Sequence, residues 1–364
     1  MTAQSTQISP SSIYAPGLEG ISVARTILSR VDGNKGELII RGHRIEDIAG
    51  HISIQKGASL LWQDFPDAPT KELAQQFGIA RQNAFRIVPD IAGYISGNDL
   101  MTWMRAALDL IPIGQNHSEA VQICGALQVF VAAASRLAAG FAPIPPDPRL
   151  SVSQDILKML TGTAPTHRME TALDRYLVTI MDHGLNASTF TARVIASTQA
   201  DMRSAVSGAM GALKGPLHGG APGPVLDMLD DIGTPDKAES WIAAELKAGH
   251  RLMGFGHRIY RVRDPRADVL KAGLDELRQD SNRIQRAEAI EQAALEALKK
   301  HKPGRVLETN VEFYTAVLLD AIGIDRNLFT PLFAVGRSIG WAAHIMEQKN
   351  SGKLIRPQSD YVGS

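Results

Sequence analysis

Cysteine occurs once in the 364 residues, at Cys124. No intrachain disulfide can form, and nothing in the composition points to an oxidising destination. Cys124 lies within an apolar stretch, residues 120–134, and reads as a small core residue. Net charge is lacking too: Lys plus Arg number 38 and Asp plus Glu 38. No overall field draws in a polyanion, so nucleic acid is not expected as a partner. Residues 1–16 are rich in Ser, Thr and Gln and lack a basic segment followed by an apolar one, so no secretory signal is read there. The most apolar segment, residues 120–144, is interrupted by Gln122, Gln128, Ser135 and Arg136. It is expected to be a buried helix and not a membrane span, which needs about 18–20 unbroken apolar residues. Internal repeats and low-complexity tracts are absent, and a cytoplasmic protein is expected.

What the chain does have is 44% hydrophobic and 21% charged residues, an ordinary globular balance. Its length suits two domains, or one large domain carrying a smaller one. Residues 17–42 combine turn residues, Asp32-Gly33-Asn34 and Lys35-Gly36, with β-prone runs at 27–31 and 38–40. These predict a short hairpin. From about Ile45 the pattern turns helical, so the fold class is mainly α. Asp264-Pro265 and Thr330-Pro331 each place a capping side chain before a proline, which predicts helices beginning there. Residues 282–300 form an amphipathic, heavily charged surface helix. The charged composition of residues 230–305 suggests a smaller domain inserted within a larger one.

Four segments do not read as packing. Asp182-His183-Gly184-Leu185-Asn186-Ala187-Ser188 sets polar groups at the start of a helix; taken alone, His183 reads as a satisfied structural histidine before it reads as a site residue. Lys214 to Pro222 sets His218 before two glycines, where backbone can approach a ligand closely. Met253-Gly254-Phe255-Gly256-His257-Arg258 runs on through Arg261 and Arg263 to Arg266. Without a preceding strand and a third glycine this is no dinucleotide fingerprint. Its guanidinium density instead suits a carboxylate or phosphate, and Arg266 lies in the first turn of a helix, where backbone donors also favour an anion. The fourth segment is Asn310-Val311-Glu312-Phe313-Tyr314, followed later by Arg337 and Arg356-Pro357. Three histidines and a carboxylate are also possible metal ligands, but none has the paired spacing of a helical His-x-x-x-His site, and no metal is expected.

In this order the segments resemble the citrate synthase family over residues 17–363. The motifs that carry the likeness are Pro216-Leu217-His218-Gly219-Gly220-Ala221, Gly254 to Tyr260 with Asp264-Pro265-Arg266, and Gly336-Arg337 with Gly340-Trp341 and His344. Asp32-Gly33, Arg41-Gly42 and Arg356-Pro357 also fit. The resemblance implies a mainly α-helical homodimer whose large domain (1–218 and 325–364) and small domain (219–324) close over the substrates. It implies condensation of oxaloacetate with a short acyl-CoA, then thioester hydrolysis to citrate or 2-methylcitrate and CoA, without a cofactor. By the same resemblance His218 stabilises the enolate of the acyl-CoA, and His257 polarises the oxaloacetate carbonyl. His183, Arg266, Arg337 and Arg356 contact oxaloacetate, Arg356 from across the dimer interface. Met253, Gly254, Phe255, Gly256 and Arg261 are implied on the CoA side.

One departure stands out. Where the family has Pro-Asn-Val-Asp, this chain has Thr309-Asn310-Val311-Glu312, so the implied catalytic base is one methylene longer and its preceding proline is gone. Two readings follow: an active Si-type condensing enzyme with Glu312 as base, or a weak or inactive relative that still binds oxaloacetate and CoA.

Overall fold

The computed structural model describes residues 14–66, 69, 72–114, 118–218, 222–278, 282–304 and 306–363. Gly219, Gly220 and Ala221, singled out beside His218, lie outside the described residues, as do residues 1–13 of the polar leader. Among the described residues the fold is helical apart from one small sheet. The first eight helices are α1 (Ile45–Ile48), α2 (Ile54–Trp62), α3 (Leu73–Phe85), α4 (Val88–Ile91), α5 (Leu100–Leu110), α6 (Glu119–Ala138), α7 (Val152–Thr161) and α8 (His167–Ile180). Next come α9 (Ala187–Ser197), α10 (Met202–Leu213), α11 (Pro222–Ile232), α12 (Ala238–Lys247) and α13 (Pro265–Ala272). The last three are α14 (Asn282–His301), α15 (Val311–Ala321) and α16 (Phe329–Ser351).

The expected hairpin is present and gains a third strand. β1 (Ser29–Asp32), β2 (Glu37–Ile40) and β3 (His43–Arg44) form an antiparallel sheet in that order, with Ser29 opposite Ile40 and Ile39 opposite Arg44. β1 starts two residues later than the apolar run, because the Ile27 N–H donates to Glu347 Oε1 (2.9 Å). At the hairpin tip, Asp32 Oδ1 accepts from the N–H groups of Asn34 and Lys35, an Asx turn that closes the loop. Gly33 then offers its carbonyl to the N–H of Arg261 (2.8 Å), pinning the arginine-rich loop to the sheet.

Two long helices make the centre. α6 is long and apolar enough to cross a membrane by length and hydropathy, a test its interrupting polar residues were expected to fail, but 83% of that window is buried inside the fold. It packs against α3, α5, α7 and α16. α16 is buried around most of its circumference and packs on α2, α6, α8, α9 and α10. Its expected start, with Thr330 as cap and Pro331 as first residue, is corrected: the helix begins at Phe329, and Leu328, in helical conformation, occupies the cap position. Asp325 caps a short 3-10 turn, Arg326–Leu328, that runs straight into α16. Pro331 is thereby the third helical residue, where a missing N–H costs no intrahelical bond.

α16 also sets the site's floor. At Gly340 an added Cβ would fall 2.2 Å from the Met181 carbonyl oxygen, so only glycine lets α16 lie this close to residues 181–182. Trp341 and His344 follow on the same helix. His344 Nε2 reaches Asp182 Oδ1 (3.0 Å), while its Nδ1 faces Arg193 Nη1 (2.8 Å), itself paired with Glu347 (2.7 Å). Asp182 Oδ2 accepts from the Ser29 hydroxyl. This buried chain of partners fixes the backbone immediately before His183.

Candidate active site

The Arg266 cluster is built from the start of α13. Pro265 occupies the first helical position, and Asp264 caps the helix by accepting from the Arg266 N–H (3.0 Å). The same carboxylate takes Arg266 Nε on Oδ1 (3.0 Å) and Nη2 on Oδ2 (2.8 Å). Both side chains are almost fully buried, 1% and 4% exposed by residue. Burial opposes the Arg266 charge, but Asp264 beside it more than offsets this and holds its pKa above the ordinary value.

His257 lies next to this pair. Its Nδ1 accepts from the N–H groups of Ile259 (3.0 Å) and Tyr260 (3.1 Å), which assigns the proton of the neutral ring to Nε2. Nε2 stands 3.3 Å from Arg266 Nη2. Two N–H donors therefore face each other, an arrangement that a shared oxygen acceptor would relieve. Burial, and then the charge of Arg266, push the His257 pKa down to about 4, so it is a neutral donor at physiological pH.

His183 is buried against the same group. Its Nε2 is 3.1 Å from the Tyr260 hydroxyl, and its ring centroid is 5.8 Å from that of His257. Burial first, then Arg266, Arg337 and His257, hold its pKa well below the usual histidine value. Arg337, on α16, donates Nε to the Ile180 carbonyl (2.6 Å), and its guanidinium lies 4.6 Å from the Phe333 ring centre. It is 1% exposed. Burial draws its pKa down to about 10 against the opposing pull of Asp182, which still leaves it charged at neutral pH.

His218 follows α10 and faces the start of α9. Asn186 caps α9 by accepting from the Thr189 N–H (3.1 Å), and the Ser188 N–H is directed at His218 Nε2 (3.4 Å). Ser188 Oγ lies 2.8 Å from the same nitrogen and accepts from Trp341 Nε1 (3.2 Å). A ring nitrogen facing a backbone donor is the acceptor, so His218 carries its proton on Nδ1. Burial, then Arg337, lower its pKa to about 4.

Glu312 is the second residue of α15. Asn310 caps that helix by accepting from the Glu312 N–H (2.9 Å), and the Val311 N–H donates to Asp264 Oδ2 (3.2 Å). Glu312 therefore rises from a turn tied to the carboxylate that holds Arg266. Burial pushes the Glu312 carboxyl up to about 7, with Arg266 pulling it down and Asp264 raising it. Such a group is part-ionised near neutral pH, as a general base must be.

The Met253–Gly256 loop pairs with the segment before α15. The Asn310 N–H donates to the Gly254 carbonyl (2.9 Å), the Gly256 N–H to the Glu308 carbonyl (2.7 Å), and Asn310 Nδ2 to the Gly256 carbonyl (2.8 Å). Gly254 has φ +83°, where L side chains are strained, and an added Cβ would stand 3.1 Å from the Phe313 side chain.

A profile described as "Citrate synthase, C-terminal domain" matches residues 17–358. The chain belongs to the citrate synthase family. A putative citrate synthase 2 of Mycobacterium tuberculosis is 38% identical over 96% of this chain and 93% of the relative. A 2-methylcitrate synthase of the same species is 34% identical over 95% and 90%. Among solved structures, the citrate synthase of Thermoplasma acidophilum, in a ternary complex with carboxymethyl coenzyme A and oxaloacetate, is 28% identical with a TM-score of 0.85, covering 96% of each chain. Membership is in a family of acyltransferase-type enzymes, and the mainly α fold is theirs.

The chain thus brings His183, His257, Arg266, Arg337, His218 and Glu312 into one electrostatically coupled group. Arg356 does not join it. It is exposed, and the neighbouring Ile355 N–H is held by Ser197 at the far end of α9, nine residues or about 14 Å along the helix from Ser188. Arg261 and Arg258 have exposed side chains, while Arg263 is occupied by Asp268 (2.5 Å) and Glu291 (3.0 Å). Sequence reasoning passed over Ser188, Tyr260 and the second reach of Asp264. Asp264 was visible only as a cap; its bond to Val311 spans 47 residues and leaves no local signal.

Proposed function

We propose that the chain condenses oxaloacetate with a short acyl-CoA, acetyl- or propionyl-CoA, and hydrolyses the resulting thioester to citrate or 2-methylcitrate and free CoA. The observation that carries this reading is Glu312. A half-buried carboxyl, its pKa pushed up to about 7, sits on the turn of α15 that Asp264 joins to Arg266, the neighbour of His257.

In this reading ionised Glu312 removes a proton from the carbon next to the thioester carbonyl. The electron pair moves onto the carbonyl oxygen, where Nδ1–H of His218 stabilises the developing negative charge. Arg266 and Arg337 bind the oxaloacetate carboxylates, with His183 as a further contact, and Nε2–H of His257 donates to the ketone oxygen. The enolate carbon bonds to the ketone carbon, and the new alkoxide takes up one proton in place of the one Glu312 removed, which Glu312 releases to solvent to regenerate its carboxylate. Water then attacks the thioester carbonyl, and CoA leaves as the thiol. The Met253–Gly256 backbone and Arg261 serve the CoA side. Closure of residues 219–324 over the remainder would exclude water, and a homodimer would let Arg356 of each subunit complete the other's oxaloacetate site.

The test is thiol release from acetyl-CoA and from propionyl-CoA, each with and without oxaloacetate. Release that requires oxaloacetate is expected, and the ratio of the two donors assigns the product. No release alongside calorimetric binding of oxaloacetate would replace this reading with that of a binding protein.

A further inference from the structure

We infer that Thr309 and Glu291 are positioning residues for Glu312, with the Thr309 hydroxyl fixing by hydrogen bonding the backbone from which the base projects. The inference rests on the proposed role of Glu312 as base. Thr309 is 1% exposed, and its hydroxyl donates to Glu291 Oε1 (2.6 Å). Glu291, on α14, is 3% exposed. Its Oε1 also meets Arg263 Nη1 (3.0 Å), and its Oε2 accepts from Lys271 Nζ (3.1 Å) and from the Tyr314 hydroxyl. One buried carboxylate thereby joins the loop before α13, α13 itself, residue 309 and α15. Charge-assisted bonds of this kind, fully satisfied, hold geometry tightly.

The geometry matters because Thr309 begins the clamp around the base. Its backbone bridges Phe255, the next residue caps α15 and grips the Gly254–Gly256 loop, and Val311 is held by Asp264. Tyr314 is two residues beyond Glu312 on the same helix, so Glu291 grips α15 from both sides of the base. A proline at position 309 would constrain its own φ and offer no hydroxyl. Threonine leaves the dihedral free and restrains it through Glu291. The longer Glu312 side chain is thus matched by a backbone set by a network and not by a ring.

The test compares wild type with Thr309→Val, which removes the hydroxyl at nearly constant volume, and Thr309→Ser, which keeps it. Steady-state kinetics with oxaloacetate-dependent thiol release should show kcat reduced about tenfold or more in Thr309→Val, since displacement of a catalytic group by about 1 Å can cost on the order of 10²-fold. KM for oxaloacetate should stay within about twofold, as the Arg266 and Arg337 contacts are untouched, and Thr309→Ser should recover most of kcat. In parallel, hydrogen–deuterium exchange of the peptide spanning residues 306–315 should quicken in Thr309→Val and return toward wild type in Thr309→Ser. Unchanged kcat and unchanged exchange in a folded Thr309→Val would overturn the proposal, as would loss of both parameters in Thr309→Ser. If wild type releases no thiol, the proposed function falls, and the exchange data alone decide whether the hydroxyl holds the turn.

Discussion

Asp264 grips Arg266 with both carboxylate oxygens, and passes one of them on to the first N–H of α15. A single side chain therefore sets both the cation that would bind oxaloacetate and the turn that carries Glu312. Breaking a buried ion pair by neutralising one partner typically costs about 3–5 kcal/mol, because it strands the other charge. Asp264→Asn is expected to raise KM for oxaloacetate by at least about tenfold, to lower kcat, and to lower the unfolding temperature. Steady-state kinetics and thermal unfolding check this; a variant with wild-type KM would show that Arg266 holds its place without Asp264.

The pH profile should report Glu312 and not the histidines. With His218 and His257 both at about 4, neither changes charge between pH 5 and 8. Glu312, at about 7, does. Activity should rise with pH as the base ionises, with a midpoint near 7 in kcat/KM for the acyl-CoA. The stability consequence has the opposite sign. Glu312 binds its proton more tightly folded than unfolded, so its contribution is fully present below the ordinary carboxyl value and is lost as pH rises through about 7. The histidines bind protons less tightly folded, so their contribution holds above the ordinary histidine value and is lost as pH falls toward 4. Glu312→Gln is thus expected to be inactive yet to melt higher than wild type at pH 8, by a few degrees, with the gap closing by pH 5. Equal melting temperatures at pH 8 would mean that the carboxyl ionises freely in the folded protein.

His218→Ala should nearly abolish condensation while leaving the melting temperature close to wild type, because the ring is partly exposed and its bond to the Ser188 N–H of α9 is long (3.4 Å). Ser188→Ala is the finer probe. It removes the oxygen that takes the Trp341 proton and faces Nε2, loosening the tautomer that leaves Nδ1–H free. A fall in kcat of about ten- to a hundredfold is expected, at or below the low end of the roughly 10²–10⁴ that a general acid–base group supplies, because Ser188 acts through His218. Oxaloacetate affinity, measured by calorimetry, should be unchanged in Ser188→Ala; weaker binding would mean that Ser188 acts on the dicarboxylate pocket instead.

How much of this was legible in the sequence depends on how far each signal reaches along the chain. The cap at Asp264-Pro265 was readable because cap, proline and first turn are neighbours. The buried character of α6 followed from its small apolar residues. The start of α16 lies two residues earlier than expected because a hydroxyl before a proline is a local rule, and here a 3-10 turn capped by Asp325 delivers the chain to the helix first. The four segments that gather at the site are each visible in the sequence as stretches that do not read as packing. It was not visible that Arg263 is taken up by Glu291 and Asp268 while Arg266 faces His257. That sorting is made by α14 packing against α15 and by Asp264, contacts between segments that share no spacing.

Glu312→Asp decides whether the site is built around the longer side chain. The first turn of α15 is held by Asn310, by Asp264 and, through Thr309, by Glu291. With the backbone so restrained, shortening the side chain by one carbon withdraws the carboxylate by about 1.5 Å, one C–C bond. The helix turn has little freedom to follow it. Aspartate and glutamate differ little in intrinsic acidity, so the effect should be one of reach. A fall in kcat on the order of 10²-fold with unchanged KM for oxaloacetate is therefore expected in thiol-release kinetics. A rise in kcat would mean the opposite: that the native glutamate overreaches the acyl carbon, and that the network around Thr309 holds the base in an unproductive place.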